Sequence, residues 1–171
     1  MKHKLLIMYS WLVRTCFYFL PDIPVLMRLR GFFYGLGMYS SGYDFQVSSS
    51  VRLVCLEKIS VGNNVYIAHQ CIFIGNGRIV INDEVLFGPN VVAVASEHQL
   101  SGGSYRFSAS KPREIIIGRG CWVGANVTLV GDVNVADSSI VAGGSVAKGN
   151  LDKPSSVYAG IPAKWINKNP L

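Results

Sequence analysis

The sequence predicts an all-β chain wound into a parallel β-helix, with a helical segment in front and one long insertion. Three observations predict it. First, residues 117–148 repeat every six positions. The blocks open on Ile117, Val123, Leu129, Val135 and Val141, and their fifth places hold Cys121, Val127, Val133, Ser139 and Ser145. A period of six fits neither an amphipathic helix nor an alternating strand. It is the hexapeptide signature of a β-helix, in which each unit makes a short strand and a corner. The opening aliphatic residue points inward, and the fifth residue is small because it sits at a crowded corner. Second, the same phase recurs upstream at Val61, Ile67, Ile81 and Phe87. It slips by two residues at Gly75-Asn76-Gly77, a turn sequence read as a bulge at a corner. Third, the repeat stops between Ala93 and Ile117. The loop at about 96–113 carries Gly102-Gly103, Tyr105, Phe107 and Pro112. A long insertion in a regular solenoid is where function tends to be placed.

Three segments follow. Residues 1–44 form an N-terminal helical segment. Leu5 to Leu20 is apolar but interrupted by Arg14, and Pro21 and Pro24 close it. That stretch is short for a membrane span. It lacks the small-x-small cleavage site of a signal peptide. Pro24 to Leu36 is the second helix, with Val25, Leu26, Leu29 and Phe32. Two roles fit residues 1–36. They contact a membrane peripherally, with Lys2, Lys4, Arg14, Arg28 and Arg30 near anionic headgroups. Or they cap the open end of the β-helix, which exposes core and strand edges. Residues 45–150 form the β-helix, its first coil placing Val47, Val51 and Leu53 inward. Residues 151–171 form an irregular tail, with a short helix at its end as one option.

Composition narrows the partners. The 171 residues suit one domain. Half are hydrophobic and 15% are charged, which suggests extra buried surface between subunits or against a membrane. The net charge of +6 favours an anionic partner: a phosphorylated cofactor, an anionic membrane or nucleic acid. Nucleic acid is excluded from the expected partners, because the basic residues are scattered and form no aromatic–basic motif. None of the four cysteines has CxxC spacing, and Cys71 and Cys121 fill fifth-place corners. This usage suits a reducing cytoplasm.

His98 near the front of the insertion, Cys-Trp-Val-Gly-Ala-Asn at 121–126, Val-Ala-Gly-Gly-Ser-Val at 141–146 and Ala-Gly-Ile-Pro-Ala-Lys at 159–164 stand in this order. Over roughly residues 45–168 the chain resembles the hexapeptide acyltransferases, and more narrowly the maltose, galactoside and polysaccharide O-acetyltransferases. The resemblance implies a left-handed parallel β-helix that assembles as a homotrimer, with active sites between subunits. It implies acetyl-CoA as co-substrate and a sugar or glycan hydroxyl as acceptor.

Acetyl transfer to a hydroxyl needs a base, and imidazole titrates in the useful range. Of the three histidines, His3 lies at the N-terminus and His69 faces outward at a corner. His98 sits at the edge of the insertion and holds the family's place for the general base. His69 reads as a surface residue or, alternatively, an acceptor contact. Glu97 or a backbone carbonyl is expected to hold the imidazole tautomer, and Glu97 joins His69 as a candidate acceptor contact. Trp122 should lie outside, against the pantetheine arm of the cofactor or in a trimer interface. Ala125, Gly143 and Gly144 let that arm approach backbone amides, which can also support a developing oxyanion. Lys148 and Lys164 are the expected phosphate partners, with Lys168 a further one. Here the chain departs from the family, which has Thr-Lys where this sequence has Lys148-Gly149.

No metal is expected: zinc enzymes of this fold need a close histidine pair, which is lacking. A covalent acyl-enzyme is disfavoured, since the insertion holds no Cys. The acceptor reading is a bacterial surface polysaccharide handled at the inner face of the membrane. The alternatives are a small free sugar, an antibiotic, or a non-catalytic scaffold.

Overall fold

A computed structural model describes residues 2–169. Residues 1 and 170–171, the outer limits of the first and last expected segments, lie outside it. Each coil makes three short strands, so the solenoid is a three-walled prism. Wall A stacks Ser40–Ser41, Ile59–Val61, Ile79–Ile81 and Ile115–Ile117, then the later halves of Thr128–Val135 and Val146–Leu151. Wall B stacks Gln46–Val47, Tyr66–Ile67, Leu86–Phe87, Trp122–Val123, Ile140–Val141 and Ser156–Ala159. Wall C stacks Arg52–Leu53, Ile72–Ile74 and Val92–Val94, then the earlier halves of the two long strands. All these pairings are parallel. The first coil starts at Ser40, ahead of Phe45.

Inward columns follow the hexapeptide phase. Val47, Ile67, Phe87, Val123, Val141 and Tyr158 line wall B from within, none more than 3% exposed. Wall C contributes Leu53, Phe73, Ala93, Leu129 and Ala147, all buried. Phe73 meets Phe87 edge to face at 5.1 Å. Each buried aliphatic or aromatic side chain adds about 1.5–3 kcal/mol. The fifth-place residues are buried too, and their polar atoms bond locally. Cys71 Sγ donates to the Gly88 carbonyl at 3.2 Å, and Ser139 Oγ to that of Lys153 at 3.2 Å. Burial pushes the thiols of Cys71 and Cys121 up to about 11, so neither is a ready nucleophile.

The two-residue slip has a structural purpose. Gly75 and Gly77 press against the strand ends where the insertion leaves and returns. A Cβ on Gly77 would fall 1.8 Å from the Arg113 carbonyl oxygen.

Helix α1 spans Lys2–Phe17 and helix α2 spans Pro24–Gly35. α2 closes the open end of the prism. Tyr34, 2% exposed, reaches the Val51 carbonyl at 3.4 Å. α1 packs alongside, with the Tyr9 hydroxyl on the Phe33 carbonyl at 2.6 Å and Ser10 Oγ on that of Leu53. Arg30 corrects its expected place near headgroups. It is 1% exposed, donating to Asp22 at 2.7 Å and to the carbonyls of Leu20, Pro21 and Val47. It lies on the inner stripe of α2 with Met27 and Tyr34, where a buried charge needs partners; Nη1 and Nη2 have them, and Nε has none among the described residues.

The tail differs from the expected irregular chain. Gly160 and Pro162 turn it back, and Lys164–Lys168 pairs antiparallel with Ser156–Ala159. The edge of wall B offers unpaired backbone groups that a strand satisfies and a helix does not. Trp165 fastens the pair by donating from Nε1 to Ser156 Oγ at 3.1 Å.

Candidate active site

The insertion is an antiparallel hairpin, Ser96–His98 against Ser110–Pro112, rising from the corner between walls C and A. His98 pairs with Ser110 and is exposed. Among the described residues no side-chain hydrogen bond reaches its ring. Strand alternation puts Glu97 on the opposite face of the hairpin. There the Glu97 carboxylate binds the Arg113 guanidinium, through Nε at 2.8 Å and through Nη2. Glu97 therefore does not hold the His98 tautomer. The bond from Arg113 keeps its carboxyl below the usual range. Arg113 also donates to Asp132 at 2.8 Å, and Asp132 accepts from the Glu114 backbone amide at 2.9 Å. The hairpin is thus clamped to the next coil.

Sequence reasoning missed Arg113 and Asp132. The signal was available in principle: Arg113 is the last residue of the insertion. Lys148 shares a cleft of about 240 Å³ with Glu97, Arg113 and Asp132. It stands on the hairpin edge, away from the other expected phosphate ligand, Lys164.

A second edge lies between walls B and C. His69, Pro89, Ala125 and Gly143 stack along it, linked by the backbone bonds Asn90 to His69, Asn126 to Pro89 and Gly144 to Ala125. The residue that turns each corner there is left-handed: Gln70, Asn90, Asn126 and Gly144 have φ between 58° and 73°. At Gly144 a Cβ would meet nothing, so the backbone is bare to solvent. Gly124 answers a different need, since a Cβ there would fall 2.6 Å from the Gly143 nitrogen of the next coil. The turn at 160–163 crowns this edge, bonded to Val146 on wall C. Lys164 follows it, exposed, and Lys168 lies beyond on the same strand.

Trp122 projects from wall B beside this edge and is 51% exposed. Its neighbours across the strands are Leu86 and Ile140, with Tyr66 beyond Leu86. The outer face of wall B is therefore an apolar column. Wall C shows Ile72, Val92, Thr128 and Val146 at the matching places. Wall A shows Ser60, Val80, Ile116, Asn134 and Asn150.

One chain brings Ala125, Gly143, Gly144, Trp122 and Lys164 together, with His69 two coils away. It does not bring His98 to them. The hairpin rises from the corner opposite wall B, and the packed core stands between His98 and Trp122. Among the described residues no group of three His, Cys, Asp or Glu side chains is placed to hold a metal ion.

No family model matches the chain. It is 26% identical over 144 residues to WbbJ of Escherichia coli, whose name refers to O-acetyl transfer in lipopolysaccharide biosynthesis; the match covers 83% of this chain and 65% of WbbJ. It is 24% identical over 103 residues to the galactoside O-acetyltransferase of Lactococcus lactis, covering 60% and 49% of the two chains. The chain thus spans about half to two thirds of the length of these relatives. A galactoside acetyltransferase solved in complex with coenzyme A superposes with a TM-score of 0.85, over 97% of this chain and 82% of that one. At 21% identity that likeness is one of fold. The fold is the left-handed β-helix of the hexapeptide-repeat acyltransferases, and the resemblance read from the motifs is borne out in sequence and in architecture.

Proposed function

We propose that the protein transfers the acetyl group of acetyl-CoA to a sugar hydroxyl, with His98 as general base. The carrying observation is the place of His98, exposed on the one long hairpin that interrupts the repeats, in a chain whose fold matches an acetyltransferase solved with coenzyme A. Neutral His98 takes the hydroxyl proton as the sugar oxygen bonds to the thioester carbonyl carbon. Charge gathers on the carbonyl oxygen, where backbone amides of the Ala125, Gly143 and Gly144 edge can donate. The carbon–sulfur bond then breaks, and the proton passes from His98 to the departing thiolate. A positioned base contributes about 10²–10⁴ in rate.

Trp122 is the platform for the pantetheine arm, and Lys164, with Lys168 beyond it, meets the phosphates. Lys148 fits that role less well, since it faces the Glu97–Arg113–Asp132 group. Glu97 shapes the hairpin through Arg113 rather than contacting acceptor. His69, lower on the glycine edge, is the acceptor contact. Because His98 and Trp122 stand on opposite sides of one prism, the working unit is a homotrimer. The hairpin of one subunit then faces the glycine edge of the next. The apolar outer columns of walls B and C supply the packing surface.

The acceptor we favour is a surface glycan handled on the cytoplasmic side of the inner membrane, supported by the name of WbbJ. Free-thiol release from acetyl-CoA with a panel of sugar acceptors tests the reading. Acceptor-dependent release that disappears in His98→Ala supports it. Release that is absent, or unchanged in the variant, contradicts it.

A further inference from the structure

The two helices carry an apolar surface that the acetyl-transfer reading does not use. Of the 25 large hydrophobic side chains exposed among the described residues, 15 lie before residue 44. α1 is apolar nearly all round. Its inner stripe, Tyr9, Ser10, Val13 and Phe17, packs on the solenoid. Its outer stripe holds Met8 and Trp11, 66% and 59% exposed, and Phe19 just beyond the helix is 90% exposed. A helix apolar on every side is normally covered on every side. α2 repeats the pattern, with Val25, 70% exposed, and Phe32, 61% exposed, turned outward.

The charges carried by the two helices themselves have one sign, with Glu57 and Asp44 of the solenoid meeting His3 and Arg28 at their margin. Neither helix contains Asp or Glu. Lys2 and Lys4 are exposed on them, and exposed Arg28 is paired with Asp44. The one carboxylate before Asp44 is Asp22, and it is spent on buried Arg30. Two copies of this face would repel, which argues against a second copy as its cover. Basic residues rimming an apolar face complement an anionic bilayer. α1 has 16 residues, about 24 Å at the helical rise, and Arg14 lies within it. It is shorter than the roughly 30 Å hydrocarbon layer. Among the described residues no helix is long and apolar enough to cross a membrane. The bonds from Tyr9 and Ser10 at mid-helix, with the packing of Val13 and Phe17, hold the inner stripe of α1 on the solenoid and leave the outer face presented.

We infer that the outer face of α1 and α2 docks on the surface of an anionic lipid bilayer, lying in the interface without spanning it. The inference does not rest on the acetyl-transfer reading. It is tested by sedimentation of the full chain with vesicles of phosphatidylcholine, with and without phosphatidylglycerol. The native chain should pellet with the anionic vesicles and stay in solution with neutral ones. Replacing Lys2 and Lys4 with Ala should weaken binding about fivefold per charge removed. Trp11→Ser with Phe19→Ser should abolish binding while the thermal unfolding midpoint and the oligomer size are unchanged, since both side chains are exposed. A native chain that stays in solution with anionic vesicles overturns the inference. So does equal binding by the Ser variant. So does a smaller particle for the Ser variant by light scattering, which would show that another copy covers the face.

Discussion

The two working edges of the prism are built on opposite principles. The glycine edge is made by the repeat itself. Each coil lays down the same corner, so Ala125, Gly143 and Gly144 form a smooth track of small residues and bare backbone. The hairpin edge is made by interrupting the repeat. Eighteen residues leave the solenoid at one corner, and a cluster of charges at Arg113 holds them in place. Repetition yields a surface for an extended ligand, but it cannot raise a titratable group above the wall. The interruption raises His98, but has no platform. On the proposed reading a complete site needs both edges, and the core keeps them apart within one chain.

The largest expected effect is on the hairpin edge. His98→Ala should lower kcat by about two to four orders of magnitude with acetyl-CoA affinity nearly unchanged. A variant that keeps more than about a tenth of native kcat removes His98 from the base role. On the glycine edge the effect should fall on binding. Trp122→Ala should raise KM for acetyl-CoA by roughly ten- to a hundredfold, as loss of a buried aromatic contact does, and KM for the acceptor far less. If only the oligomer changes, seen by light scattering, Trp122 is an interface residue.

Smaller effects separate clamp from chemistry. Arg113→Ala should loosen the hairpin without touching the glycine edge, raising protease cleavage within 99–109 and leaving acetyl-CoA affinity alone. The clamp should also depend on pH. Arg113 lowers the Glu97 titration, so the contact is complete above the ordinary carboxylate value of 4.5 and is lost as pH falls through the depressed one. Cleavage of the hairpin by an acid protease should rise in that acid range for the native chain. In Glu97→Gln it should already be raised at the upper end of that acid range, with a smaller rise below it, because Asp132 still holds Arg113 and titrates there too.

The solenoid was legible because each coil writes itself into the sequence, an inward aliphatic at one place and a small residue four further on. The glycine edge was legible for the same reason. What failed was whatever depends on a partner far along the chain. Glu97 read as a support for His98 because it is adjacent. Its partner Arg113 appears only once the hairpin register is set. Arg30 read as a surface charge because helical periodicity alone does not say which stripe closes the prism. The strand at Lys164–Lys168 was missed because the edge it pairs with exists only after wall B is built. Lys148 was placed by motif, but the continuous strand Val146–Leu151 carries it to the other corner.

The most direct test of a site divided between subunits is complementation. His98→Ala chains and Trp122→Ala chains are dissociated together and allowed to reassemble. Activity is read at an acetyl-CoA level well below the KM of Trp122→Ala. Each parent alone should be nearly inactive there. If hairpin and glycine edge meet across a subunit boundary, one cleft in each mixed trimer regains both native residues, about a quarter of all clefts in an equal mixture. Activity should then return to about that share of the native value. Mixed trimers that form and stay inactive would contradict a shared site.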